Sequence, residues 1–163
     1  MLAAKRDLDI FDRKLLSEVQ KNAHLSQSEL GAKVNLSAAA VNRRLKRLAD
    51  EGVIQRYVAV IAPEAVGYSL TIVAEVEVER ERIDLLDGMK GVFEACPQVQ
   101  QCYWVTGEWD FVLILAVRDM EQYNELTRQL FFKDNNVKRF KTLVVLNHIK
   151  SGLEVPIDSC GEL

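Results

Sequence analysis

Three cysteines among 163 residues, Cys96, Cys102 and Cys160, make an odd set without a C-x-x-C pair, and only His24 and His148 stand beside them. That leaves no spaced metal-ligand set and no disulfide framework, so the thiols read as reduced and partly buried. No apolar run approaches the roughly 20 residues that cross a bilayer. The opening MLAAKRDLDIFDRK has no signal-peptide core, so a cytoplasmic location is expected. Glycine-rich phosphate loops, a Ser-His-Asp set and paired catalytic carboxylates are missing as well. An enzyme is therefore disfavoured, and neither cofactor nor metal is expected.

Positive charge is scarce overall but not evenly so. The net charge is −3. Residues 1–62 hold 11 Lys+Arg against 7 Asp+Glu, a net of +4, and residues 63–163 hold 10 against 17, a net of −7. Such asymmetry marks two modules, one of which meets a polyanion. An acidic whole does not exclude nucleic acid, because the local field at the contact decides. The cations gather in LSAAAVNRRLKRLADEGVI, where Arg43, Arg44, Lys46 and Arg47 fall within five residues.

The first module, 1–62, reads as three helices. Leu8, Phe11, Leu15 and Val19 recur at spacings of three and four, one buried helix face. Ser26 with Glu29 is a capping box opening a helix over 27–34 that buries Leu30 and Val34. The tight turn NLS then leads to Ser37, the cap of a third helix over about 38–50, closed by Gly52. Val41, Leu45 and Leu48 form its inner stripe. At 100° per residue the opposite face holds Ala39, Arg43 and Lys46, flanked by Asn42 and Arg47, with Arg44 nearer the core edge. Two helices on a short turn, the second capped and basic, are a helix-turn-helix, and the positive charge lies where a recognition helix meets phosphates and base edges. VIQRYVAVI follows as an expected strand or wing, and APEAVGY as a linker.

The second module, 63–163, alternates strands and helices. LTIVAEVEVE puts Leu70, Ile72, Ala74, Val76 and Val78 on one face and Glu75, Glu77 and Glu79 on the other. A helix is expected at about 83–95, burying Leu86, Met89, Phe93 and Cys96. Strands follow at VQQCYWVT and DFVLILAV around the turn GEW. A helix capped by Asp119 buries Met120, Tyr123, Leu126 and Leu130, and VKRFKTLVVLNHI is the last strand. The order βαββαβ is a ferredoxin-like sheet with both helices on one face. Residues 111–117, FVLILAV, are apolar on both faces, so something must cover the bare side, and self-association through the sheets is expected. The fold class is thus α+β: a winged helix-turn-helix followed by a ferredoxin-like domain.

In the order LDIFDRKLL, LS…NRRLKRLADEGVIQRYVAVIAP, VTGEWDF and TLVVLNHIK, the chain resembles the Lrp/AsnC family, the leucine-responsive or feast/famine transcription regulators. The resemblance covers nearly the whole chain. It implies that the N-terminal module reads double-stranded DNA at a palindromic operator. It also implies that the C-terminal module forms dimers, often assembled into octamers, and senses a small molecule, commonly an amino acid. Ser37, Ala39, Asn42, Arg43, Arg44, Lys46 and Arg47 fall on the family's recognition helix. Three alanines follow Ser37 where members commonly carry Ser, Thr and Pro. The turn TGEWD matches the family's Gly-x-x-Asp effector loop, which places Thr106, Gly107, Glu108 and Asp110 at the ligand, with Thr142 and Leu143 of the last strand lining the pocket. An amino acid needs an anion-binding and a cation-binding spot side by side. Backbone N–H groups near Gly107 suit its carboxylate, and Asp110 suits its ammonium. The plainer reading is that Gly107 and Asp110 only shape a hairpin. An architectural DNA-binding protein of the same fold, indifferent to amino acids, is the alternative function.

Overall fold

The computed structural model describes residues 7–133 and 136–157. The chain divides into two compact units, Met1–Ala59 together with Lys150–Leu163, and Val60–Ile149. The last strand's continuation thus returns to the first unit, where 63–163 was expected to stay with the second. The returning segment is anchored by side chain rather than by ladder: Gln20 Nε2 donates to the Val155 carbonyl at 2.7 Å and Val155 N–H to Gln20 Oε1 at 3.1 Å.

The first unit is built from three capped helices, α1 (Ile10–Lys21), α2 (Gln27–Val34) and α3 (Ala38–Asp50). Each start is dictated locally. Asp9 and Asp12 form one capping box and Ser26 and Glu29 a second, while Ser37 Oγ accepts the Ala40 N–H. Asn35 makes the turn between α2 and α3 at φ 58°, and Gly52 at φ 69° ends α3 with a Val53 N–H to Leu48 carbonyl bond of 2.8 Å. Leu15, Val19, Leu30, Val34 and Val41 form the core, with Leu45 half-buried against it. A methyl at Gly31 would lie 2.4 Å from the Leu36 carbonyl oxygen, so the α2–α3 turn closes only over glycine at this position.

Two expectations for this unit do not hold. The buried stripe of α1 is Asp12, Leu15 and Val19, with Phe11 only half-buried. Of the strand or wing expected at 53–61, the strand does not form; Tyr57, Val58 and Ile61 are exposed and Val60 is 95% exposed. Of the thiols, Cys96 is half-buried but Cys102 exposed, and Cys160 lies outside the described residues.

The second unit is the βαββαβ sandwich: β1 (Leu70–Val78), α4 (Ile83–Ala95), β2 (Val99–Trp104), β3 (Phe111–Val117), α5 (Met120–Thr127) and β4 (Val137–Val144). Strands lie in the order β2-β3-β1-β4, all antiparallel. After Thr127 the backbone widens to π-helical bonding over Arg128–Phe132. Both helices cover one sheet face, where Ile72, Ala74, Val76, Phe111, Leu113 and Leu115 meet Leu86, Met89, Phe93, Tyr123 and Leu126. Phe93 sits edge-on to Phe111 and Phe131 at 5.5 and 6.2 Å. Met120, expected inside, is 41% exposed. It opens the first turn of α5, and the inward row runs Tyr123, Leu126, Thr127 and Leu130 instead. β2 and β4 are shorter than expected, the latter extended by one Val145 N–H to Thr71 carbonyl bond at 2.9 Å.

On the other sheet face, register places Ile114, Val73 and Leu143 in one row across β3, β1 and β4. Beside them run the pairs Glu75–Lys141, at 3.3 Å, and Glu77–Arg139. Val112 and Ile114 are half-buried and Leu143 is exposed. The doubly apolar strand therefore keeps one side against the helices and the other on this uncovered face.

Candidate functional site

On α3 the four cations divide into two pairs. Arg44 Nη1 donates to Asp9 Oδ2 at 2.6 Å and Asp12 Oδ1 at 2.8 Å, and Arg47 Nη2 to Asp12 Oδ2 at 2.5 Å. Asp12 is 1% exposed, so two guanidiniums neutralise one buried carboxylate. The Arg44 guanidinium also lies 5.5 Å from the centre of the Phe11 ring. Partial burial pushes the Asp9 carboxyl up, but the Asp12 N–H and Arg44 outweigh it and hold its pKa below the ordinary value. Arg43 and Lys46 are exposed and make no ion pair among the described residues. Asn42 is exposed beside them and accepts a 2.9 Å hydrogen bond from Gln27 Nε2. Ala39 is exposed, and Ser37 spends its hydroxyl on the cap.

Asp12 escaped the sequence reading, although two signals pointed to it. It stands three residues after the cap Asp9, and three and seven before Leu15 and Val19, on the buried row.

The loop expected to hold an effector, 106–110, lies between β2 and β3. Gly107 has φ 128°, a conformation L side chains rarely adopt, and nothing stands within 4 Å of where a Cβ would be. Backbone can therefore be approached closely there. Asp110 is braced rather than loose: its N–H donates to the Val76 carbonyl at 2.9 Å, and its Oδ2 accepts the Val78 N–H at 2.8 Å. Its other carboxylate oxygen has no partner among the described residues. Glu108 accepts from Arg139 Nη2 at 3.0 Å, and the Arg139 guanidinium lies 4.6 Å from the Trp109 ring centre.

The two β4 residues are not brought together with this loop on one face. Thr142 faces the helices, and its Oγ1 lies 2.6 Å from the Tyr123 hydroxyl. Burial pushes the Tyr123 pKa up, against the pull of that bond. Leu143 lies on the opposite, uncovered face. Trp104 lies on the helix side under Lys90, whose Nζ is 4.4 Å from its ring centre, and Tyr103 on the uncovered side. A groove of about 750 Å³ runs between α4 and the end of α5 past Cys96, Leu126 and Lys133, and none of the expected effector residues lines it. His148 Nε2 lies 3.0 Å from Thr71 Oγ1. No cluster of three His, Cys, Asp or Glu suits a metal ion, and no helix is long and apolar enough to cross a membrane, among the described residues.

Comparison with known proteins places both units. Residues 8–55 match the winged helix-turn-helix DNA-binding model, and residues 71–155 the Lrp/AsnC ligand binding domain. An uncharacterised helix-turn-helix transcriptional regulator of Sinorhizobium fredii is 44% identical over 152 residues, 93% of this chain and 90% of the relative. The leucine-responsive regulatory protein of Haemophilus influenzae is 32% identical over 143 residues, 88% of this chain and 86% of the relative. Among solved structures, a transcriptional regulator of Neisseria meningitidis in complex with L-methionine superposes with a TM-score of 0.87 at 30% identity, covering 93% of this chain and 98% of that one. The family members so matched are transcriptional regulators, not enzymes. With one domain of each kind in the family's order, and relatives alike along nearly its whole length, this chain belongs to the Lrp/AsnC family of helix-turn-helix transcriptional regulators.

Proposed function

We propose that this regulator binds a palindromic operator through α3, and that a free amino acid held at the 106–110 loop biases its assembly or its hold on DNA. The observation that carries the DNA reading is the division of charge on α3. Arg44 and Arg47 are committed to Asp12, whereas Arg43 and Lys46 point outward with no ion pair among the described residues. Those two are the phosphate and base contacts, with Ser37, Ala39 and Asn42 setting the approach at the helix N-terminus. The architectural alternative is not favoured: a ligand binding domain matches residues 71–155, and the Neisseria regulator of the same fold carries L-methionine.

For the effector, the open backbone at Gly107 receives the carboxylate and the unpartnered oxygen of Asp110 the ammonium. Thr106 and Glu108 flank that glycine in the loop, whereas the Thr142 hydroxyl is already bonded to Tyr123 and Leu143 lies opposite Val73 on the uncovered face. A ligand that binds only the native state raises its stability, by about 2.7 kcal/mol at a hundredfold excess over Kd. One of the twenty amino acids should therefore raise the melting temperature of the purified protein. Asp110→Asn is the clean variant, because its amide oxygen still accepts the Val78 N–H while the charge is gone. It should lose the ligand shift and keep the unliganded melting temperature. A wild-type shift in Asp110→Asn would make the residue a hairpin brace only, and silence from all twenty amino acids would remove the sensing role.

The uncovered row of Ile114, Val73 and Leu143 supports a two-fold dimer as the building unit, with the family's octamer as the larger assembly. Such a dimer presents two α3 helices to half-sites one helical turn, or a multiple of it, apart. Light scattering at micromolar concentration should give at least twice the monomer mass; a stable monomer contradicts it.

A further inference from the structure

We propose that Gln27 and Asn42 act as one base-reading unit, and that this unit reads adenine in the major groove. Gln27 is the first residue of α2, exposed, and its Nε2 donates to Asn42 Oδ1 at 2.9 Å across the helix-turn-helix. Asn42 lies on the outer face of α3, next to Arg43 and four residues before Lys46. A hydrogen bond between two exposed amides contributes little to stability, since each is as well served by water. Its consequence is for recognition. An amide side chain has an acceptor oxygen and a two-donor nitrogen. The major-groove edge of adenine offers the complement, the N7 acceptor and the N6 donor, and a lone asparagine satisfies both. Here Asn42 Oδ1 is engaged by Gln27. The bond leaves the Asn42 Nδ2 donors and the Gln27 Oε1 acceptor without a partner among the described residues, so the set complementary to adenine is shared between two helices, and without Gln27 the Asn42 amide is no longer held in place.

Two surrounding features favour this role. The first turn of α3 is Ala38, Ala39 and Ala40, which adds no competing polar group and leaves room for the amides to reach a base edge. Two of the four cations are withdrawn to Asp12, leaving Arg43 as the one arginine of α3 with no ion pair among the described residues and hence available for guanine.

The proposal rests on the reading of α3 as the DNA-contacting helix, and the test separates the two. Binding sites are selected from a random duplex library at fixed salt with the full-length wild type, Gln27→Ala, Asn42→Ala and the double variant. The wild type should select an A·T pair at a position where both single variants lose discrimination, by about 5- to 150-fold. The double variant should lose no further discrimination there. The salt slope should stay at the wild-type value, because no phosphate-contacting cation is removed. Unchanged preference in Gln27→Ala, relaxation at two different positions, or loss of preference for another base pair overturns it. Arg43→Ala with Lys46→Ala serves as control. If that variant still binds like wild type, the reading of α3 itself has failed; if it loses binding while Gln27→Ala keeps its preference, only the amide pair has.

Discussion

Alanine at both Arg44 and Arg47 is expected to destabilise the DNA-binding unit by about 3–5 kcal/mol, a large share of what a small domain has. The cause is not the surface charge removed but the carboxylate left behind. Asp12 is 1% exposed, and its oxygens take Arg44 at 2.8 Å and Arg47 at 2.5 Å. With both guanidiniums gone, a buried anion keeps, among the described residues, only the long Asp9 N–H bond at 3.3 Å. Urea unfolding followed by helical circular dichroism measures the destabilisation. Adding Asp12→Leu to the same variant should restore most of the stability, because an apolar side chain of the same branched shape replaces a buried charge at little cost. A double variant as stable as the wild type would mean that Asp12 is solvated after all.

The largest expected effect on function comes from the other two cations. Arg43→Ala with Lys46→Ala should abolish specific operator binding while the protein stays folded, since neither side chain makes an ion pair among the described residues and both are exposed. Removing one phosphate-binding cation lowers the slope of log K against log salt by about one unit per protomer, and a bidentate hydrogen-bonded pair to a base is worth about 1–3 kcal/mol. Titration of an operator duplex across a range of salt checks both quantities. Wild-type affinity and slope in the double variant would remove α3 from the interface. Opposite outcomes for the two arginine-bearing pairs, unfolding in one and failure to bind DNA in the other, are the signature of the division of charge.

What was legible in the sequence was whatever is decided within a few residues. Ser26 with Glu29, Ser37 and Asp119 name their helix starts because the bond they make lies three residues away. The alternation of β1 assigned its faces correctly, since strand period alone decides which side a residue takes. Features that depend on distant approach stayed hidden. The reason for a glycine at position 31, the Leu36 carbonyl across the turn, shows only once the turn is closed. The segment 53–61 is rich enough in β-branched and aromatic residues for a strand, but a strand also needs a neighbour to bond. Thr142 and Leu143 were grouped in one pocket, although adjacent strand residues must face opposite ways, and the structure separates them across the sheet. For the loop, glycine and acid were legible as a pair, but the brace from the Val78 N–H to Asp110 crosses from another strand.

The return of the chain after Ile149 bears on how the protein can be instrumented. Val155 is gripped at both its N–H and its carbonyl by the side chain of Gln20 on α1. A fluorophore, affinity tag or crosslinker attached at position 155 therefore reports from the DNA-binding unit, even though strand β4 of the ligand-binding unit ends only eleven residues earlier, at Val144. A label meant to follow the ligand-binding unit belongs elsewhere, for instance on the exposed Cys102 of β2. Dyes on Cys102 and on position 155 of one chain would give one signal from each unit.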